Sequence, residues 1–308
     1  MEGLRATPKR IPAKCFYDDE GSRLFDKITE QPEYYPTRTE IKILQDNAAA
    51  IANLVKPGAA IVEFGSGCAG KIDILLKAMM PELAAYVPVE ICASIVEDEA
   101  ARLNREFPAL TIDPVAADFS RPFELPEAAR NAPARVGFFP GSTIGNFEPH
   151  HAAAFFRDAG RTLGADAIMI VGVDLIKPVE ILNAAYNDAA GITAQFNLNL
   201  LTRINRELGA NFQLKQFEHH AFYNRERNRV EMHLASLKRQ KVRVCGETID
   251  FKAGETIHTE NSYKYSVESF GALARGANWT PIAVWKDADK LFSVQALAYK
   301  PPQTAAKV

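Results

Sequence analysis

Gly65, Gly67 and Gly70 in the stretch IVEFGSGCAGK stand at G-x-G-x-x-G spacing directly after a short apolar run. Between a strand and a helix, such glycines let the backbone approach a ligand closely, either a dinucleotide pyrophosphate or the aminoacyl tail of S-adenosylmethionine. A plain glycine turn is the reading without chemistry. Either nucleotide calls for an acid at the end of the second strand to hold ribose hydroxyls, and Glu90, about 20 residues on, ends the run YVPVE. Two further features favour the sulfonium cofactor over NAD. Glu63, just before the first glycine, can support a loop that faces a cationic ligand, whereas it would repel a pyrophosphate. Asp118-Phe119 offers an acceptor for an adenine amino group beside a ring that can pack on the base. Singly, Glu63 and Glu90 also read as solvated strand ends and Asp118 as a turn residue; their joint placement carries the inference. An NAD oxidoreductase would further need a proton donor beside a hydride acceptor, for which the chain offers no candidate.

Metal and thiol chemistry find less support. Cys15, Cys68, Cys92 and Cys245 are far apart and form no C-x-x-C, so neither a disulfide frame nor a zinc site is expected. His150-His151 and His219-His220 are adjacent pairs, and adjacent side chains diverge on helix and strand alike, which makes them poor chelating pairs. No metal is expected.

The elements that must position these residues alternate from about Ile41 to Asp174. Helix TEIKILQDNAAAIANLV leads to strand AAIVEF, helix KIDILLKAMM, strand AYVPVE, helix SIVEDEAARLNREF, the segment LTIDPVAADF, strand RVGFFPGS, helix HHAAAFFRDAGRTL and strand AIMIVGVDL. Repeated β-α units imply a parallel, doubly wound α/β sheet with its ligand at the C-terminal strand ends. After Leu175 the rhythm changes: helical PVEILNAAYNDAAGITAQFNLNLLTRINREL precedes period-two stretches RVEMHLASL and QKVRV, which read as an antiparallel meander. The chain closes with helix VESFGALARGA and strands TPIAVWKD and LFSVQALAYK, a hairpin ending on a parallel sheet that resembles the class I methyltransferases. The last residues, PPQTAAKV, read as a frayed tail.

With 308 residues, 47% apolar and 24% charged, the chain can bury one large core or two modest ones. A net charge of −2 provides no basic field for nucleic acid or an anionic membrane, so a small-molecule partner is expected. The N-terminal stretch has no apolar h-region of about 7 to 15 residues, and no window nears the roughly 18 apolar residues of a membrane span. A cytoplasmic protein is expected, and a monomer, since no heptad or long apolar helix advertises an interface.

The strings FYDDEGSRLFDKITEQPEYYPTRTE, FPGSTIGNFEP, AYNDAAGITAQFNLNLLTRINREL, RVEMHL and TENSYKY resemble the histidine Nα-methyltransferases of the ergothioneine pathway, in order and with similar spacing. The resemblance implies a Rossmann-like class I methyltransferase core over 39–176 and 265–301, and a smaller α+β substrate-binding domain over 1–38 and 177–264. It implies successive methyl transfer from S-adenosylmethionine to the α-amino nitrogen of L-histidine, giving hercynine. By the same resemblance Glu63, Gly65, Gly67, Lys71, Glu90, Asp118 and Phe119 lie on the cofactor side. Tyr34, Gly141, Thr143, Asn146, Tyr186, Glu260 and Ser262 fall where the family holds histidine, and Tyr17 and Met232 line the same pocket. The chain departs from the family in reading GSGCAGK where GSGTSEK or GSGSSRK is usual, and in carrying Glu90 where Asp is usual.

The residue types suit that chemistry. The amide of Asn146 can orient an amine or a carboxylate, and Tyr34 and Tyr186 are neutral donors for a carboxylate. Glu260 and Ser262, two apart on an extended segment, share a side, where a carboxylate and a hydroxyl can hold both imidazole nitrogens and reject Phe or Leu. The plainer readings are a rigid Pro-bounded loop for PEYYPTR, core packing for Met232 and a solvated strand end for Glu260. The chemistry expected is in-line displacement by the neutral amine, with Asn146 orienting it and either Tyr17 or Tyr34 relaying its proton to water or the amine binding already deprotonated beside the sulfonium charge. Another amino-acid N-methyltransferase, for instance one with an indole substrate, and a non-catalytic module binding S-adenosylmethionine or an amino acid are the alternatives.

Overall fold

The computed structural model describes residues 1–67 and 70–302; Cys68 and Ala69 of the glycine loop, and the end of the expected tail, lie outside the described residues. The chain divides into two compact units, Met1–Tyr35 with Lys177–Lys264, and Pro36–Ile176 with Tyr265–Val308.

The second of these units is built on a sheet whose strands run in the spatial order Trp279–Lys286, Phe292–Tyr299, Ile168–Asp174, Arg135–Phe139, Ala59–Phe64, Leu83–Glu90 and Thr111–Ile112, with Val115–Ala116 also on Leu83–Glu90. Neighbours pair in parallel except at Phe292–Tyr299, which is antiparallel to both of its partners. The doubly wound class I methyltransferase fold with its C-terminal antiparallel hairpin is therefore present. Its central strands are apolar throughout because helices cover both faces: all of Ala59–Phe64 is buried. The flanking helices bury one stripe each. In Pro149–Leu163, with proline at its start, Ala152, Phe155, Phe156, Ala159 and Leu163 face inward at helical spacing. The order reverses between Ala59–Phe64 and Arg135–Phe139, so the C-terminal ends of these strands flank the crevice where such sheets take ligands.

The other unit holds a smaller sheet in the order Lys9–Arg10, Thr256–Tyr263, Arg229–Ser236, Phe217–Asn224. It is not the simple meander expected. Gln240–Val244 and Glu247–Phe251 leave the sheet as a separate hairpin, closed by Cys245 and Gly246 at positive φ, the conformation that matches strand twist in a two-residue turn. Arg229–Ser236 then pairs with Thr256–Tyr263, and Lys9–Arg10 adds a parallel edge. Helices Asp19–Thr29 and Ile192–Leu208 pack on one another. Asp18 caps the first by accepting from the Gly21 amide at 2.9 Å. The helical stretch expected over 178–208 is two helices, Val179–Ala185 and Ile192–Leu208, divided where Gly191 turns at φ 69° and the Asp188 carboxylate accepts from the Ile192 and Thr193 amides at 2.7 and 2.8 Å. Among the described residues, no helix is long and apolar enough to cross a membrane.

Candidate functional site

In the unit with the parallel sheet, the glycine loop follows Ala59–Phe64. Gly65 adopts φ +81°, and a Cβ there would sit 3.3 Å from the Phe119 ring, so the aromatic edge lies against bare backbone. A Cβ on Gly67 would lie 3.8 Å from Glu90 Oε2. The other Glu90 oxygen accepts from the Ile91 amide at 2.7 Å, and burial raises this acid's pKa. Asp118 Oδ1 accepts from the Ser120 amide at 3.1 Å and from its hydroxyl at 2.5 Å. Gly65 and Phe119, and Gly67 and Glu90, are thus brought into two close pairs at the ends of adjacent strands.

Glu63 differs from expectation. It is 3% exposed, accepts a hydrogen bond from the Tyr86 hydroxyl, and burial pushes its pKa up to about 8. At neutral pH it is mostly a protonated acid, because strand residues on both sides exclude water from it.

Lys71 opens the helix Lys71–Met79, and its ammonium lies 2.7 Å from Glu40 Oε2, with side-chain exposures of 2% and 1%. Both Glu40 oxygens accept from the Gly141 amide, at 3.0 and 2.9 Å. Gly141, at φ +76°, leads into the short 3-10 turn Thr143–Asn146, pinned by Thr143 Oγ1 donating to the Pro140 carbonyl at 2.9 Å. Gly172 makes space for this knot, since a Cβ there would fall 1.9 Å from Glu40 Oε1. Lys71, Gly141, Thr143 and Asn146 therefore hang on Glu40, which sequence reasoning missed. The readable signal was a lone acid three and four residues before Ile43 and Leu44, on the apolar stripe of the helix Tyr35–Ala52.

In the other unit, Glu260 stands opposite Met232 and Ser262 opposite Val230 in the sheet register, which puts both on one face. The Tyr186 hydroxyl donates to Ser262 Oγ at 2.7 Å. Lys264, 2% exposed, donates to Ser262 Oγ at 2.7 Å and to the Tyr186 hydroxyl at 3.1 Å. Burial pushes Glu260 up to about 7, against the opposing pull of the Lys264 ammonium. Lys264 also escaped sequence reasoning, although it continues the alternation of Glu260 and Ser262. Met232 is 2% exposed. Tyr17 and Tyr34 meet the same ring edge-on, at 6.0 and 6.3 Å from Phe25, with Phe196 6.0 Å from Tyr17.

The opposite face of the sheet gathers histidines that adjacency did not reveal. His220, His233 and His258 are in register across three strands, and Glu231, His233 and His258 place ligand atoms within 4.8 Å of one another. These groups are already engaged: Glu231 accepts from Arg229 Nε at 2.8 Å and Asn224 Nδ2 at 3.0 Å and meets His233 Nε2 at 3.1 Å, while His258 Nε2 reaches the Glu260 carbonyl at 3.0 Å. The guanidinium neutralises the one carboxylate a cation would need, and the cluster is assigned no metal.

Comparison with known proteins gives concordant results. Residues 1–299 match the family described as histidine-specific methyltransferase, SAM-dependent. A histidine N-alpha-methyltransferase of Mycobacterium tuberculosis is 40% identical over 290 residues, covering 92% of this chain and 89% of that one. Ergothioneine biosynthesis protein 1 of Neurospora crassa is 28% identical over 90% of this chain, which spans 32% of that protein. Among solved structures, a possible exported protein of Bordetella parapertussis superposes with a TM-score of 0.50 at 11% identity, over 97% of this chain and 78% of that one, a likeness of fold alone.

Proposed function

The chain belongs to the histidine-specific, S-adenosylmethionine-dependent methyltransferases, and from that membership we propose that it methylates the α-amino nitrogen of L-histidine successively, giving the trimethylated betaine hercynine in ergothioneine biosynthesis. The observation that carries the substrate is the pairing of the half-buried acid Glu260 with the buried hydroxyl of Ser262, side by side on one strand face. An acid and a hydroxyl at that spacing satisfy the two nitrogens of an imidazole, and a side chain lacking them leaves both groups unpaired, which is a strong basis for rejection.

S-adenosylmethionine supplies an electrophilic methyl group on a sulfonium. The residues present fit it: a glycine loop open to close approach at Gly65 and Gly67, acceptors in Glu90 and Asp118 for hydroxyls and an amino group, and the Phe119 ring for a base. Glu63 sits beneath the loop, and Lys71, its ammonium paired with Glu40, stands with the cofactor residues at the start of the following helix. Tyr34 and Asn146 hold the amino-acid head, with Gly141 and Thr143 setting the turn that carries Asn146, while Tyr186, bonded through its hydroxyl to Ser262, holds histidine at the ring end. Met232 and Tyr17 line the pocket. The amine attacks as the free base, so these groups orient its lone pair along the carbon–sulfur axis and pass its proton to water through Tyr17 or Tyr34. A cytoplasmic, monomeric enzyme is part of the same reading.

An indole substrate is the competing reading; it offers one N–H and no acceptor nitrogen, so it would leave the Ser262 hydroxyl without its ring partner. Mass spectrometry of L-histidine incubated with the protein and S-adenosylmethionine, with tryptophan and the other amino acids in parallel, decides between them. Gains of one, two and three methyls on histidine alone are expected; methylation of another amino acid in its place would overturn the assignment.

A further inference from the structure

Of the cations that the unit formed by Met1–Tyr35 and Lys177–Lys264 buries, Lys177, Arg229 and Lys264, the last touches the proposed substrate groups although the reaction asks for no cation there. Lys264 is 2% exposed and donates to both hydroxyls of the Tyr186–Ser262 pair. Its ammonium also lies over the Tyr186 ring, 5.1 Å from the centroid. An ammonium has donors and no acceptor, so each oxygen it contacts must use a lone pair on it. Ser262 Oγ, 4% exposed, accepts from Lys264 at 2.7 Å and from the Tyr186 hydroxyl at 2.7 Å. A hydroxyl has two lone pairs and one proton. Both lone pairs of Ser262 are taken, and its proton is left to point outward.

We propose that Lys264 is a positioning residue that fixes the Ser262–Tyr186 pair as a hydrogen-bond donor, so that the pocket selects a ring carrying one acceptor nitrogen and one N–H. This rests on the histidine reading above and deepens it. Glu260, on the same face, takes the N–H, and the Lys264-polarised hydroxyl serves the lone pair of the other ring nitrogen. The pocket thereby reads the neutral imidazole as a directed pair of bonds, and it discriminates against any five-membered ring with a C–H in place of the acceptor nitrogen. Without the ammonium, Ser262 regains a lone pair, and its hydroxyl can accept as readily as donate.

The test compares L-histidine with the pyrrol-2-yl and pyrrol-3-yl alanines, each of which keeps one N–H and replaces the other ring nitrogen by C–H. For the unmodified protein, kcat/KM for histidine should exceed that for the better pyrrole by about a hundredfold or more, as for sites built around a substrate polar group. In Lys264→Met, an apolar replacement of similar length that relieves a buried charge, the ratio should collapse by at least about tenfold, the net worth of a directed bond to a buried group. The loss should appear mainly in KM for histidine, with kcat little changed and the S-adenosylmethionine Kd the same. Lys264→Arg, which keeps the charge and the donors, should restore most of the ratio. Should Lys264→Met fail to fold, Lys264→Gln, whose amide both donates and accepts, should lower the ratio by at least about threefold. An unchanged ratio in a folded Lys264 variant overturns the proposal while histidine remains the substrate. Absence of histidine methylation by the unmodified protein brings down the substrate reading itself, and the proposal with it.

Discussion

At the scale of single residues, the acid beneath the glycine loop is the most informative departure from expectation. Glu63 holds its proton to about pH 8 because burial penalises the charge. A sulfonium bound nearby would favour the carboxylate, so cofactor binding should release up to about one proton at pH 7.5. Calorimetric titrations in buffers of different ionisation enthalpy measure that number directly; an identical heat in all of them would separate Glu63 from the ligand. The same shift has a signature in stability. A folded pKa raised above the ordinary carboxyl value of 4.5 means that the native state binds the extra proton, so stability falls as pH rises from about 4.5 to about 8. Glu63→Gln should flatten that fall, seen as a smaller loss of Tm between pH 5 and pH 8 than in the unmodified protein. Glu90 and Asn146 divide the ligands between them. Glu90→Ala should weaken S-adenosylmethionine by at least about tenfold, the worth of a charge-assisted bond to a hydroxyl. Asn146→Ala should instead depress turnover by a larger factor than it changes cofactor affinity, and equal losses in both would remove Asn146 from the substrate.

At the scale of elements, Tyr35–Ala52 is more than a covering helix, since it delivers Glu40 to Lys71 and to the amide of Gly141. Glu40→Ala would leave a buried ammonium without this carboxylate, at a cost of about 3–5 kcal/mol in urea unfolding. A change below about 1 kcal/mol would mean that water or another group takes over the pairing. The parallel strands were legible because burial on both faces leaves uninterrupted apolar runs such as AAIVEF, and the glycine loop was legible because positive φ demands glycine. Glu40 was not, since one acid among the apolar positions of a helix carries no sign of where its partner lies. Lys264 was hidden for the same reason: alternation assigned its side of the strand, and only the fold places Tyr186 beside it. The meander failed where propensity is weakest, because nothing in the local pattern of QKVRV distinguishes a strand of the main sheet from one arm of a detached hairpin.

At the scale of the whole molecule, each unit is assembled from distant pieces of chain. Met1–Tyr35 completes a unit otherwise made of Lys177–Lys264, and the two-residue strand Lys9–Arg10 covers an edge of its sheet. Removing residues 1–11 should expose that edge and lower the Tm by several degrees. S-adenosylmethionine affinity should stay within about threefold, because the proposed cofactor residues belong to the other unit. A truncated protein with unaltered Tm would show that the edge strand is dispensable. The 1.9 Å approach of a hypothetical Gly172 Cβ to Glu40 Oε1 reaches beyond stability into heredity. The two positions form an epistatic pair whose history has a direction. A methyl at 172 would push the Glu40 carboxylate away from Lys71 and the Gly141 amide, and a shorter acid at 40 would make room for it. In a pairwise mutational scan, Gly172→Ala should be tolerated only on a Glu40→Asp background.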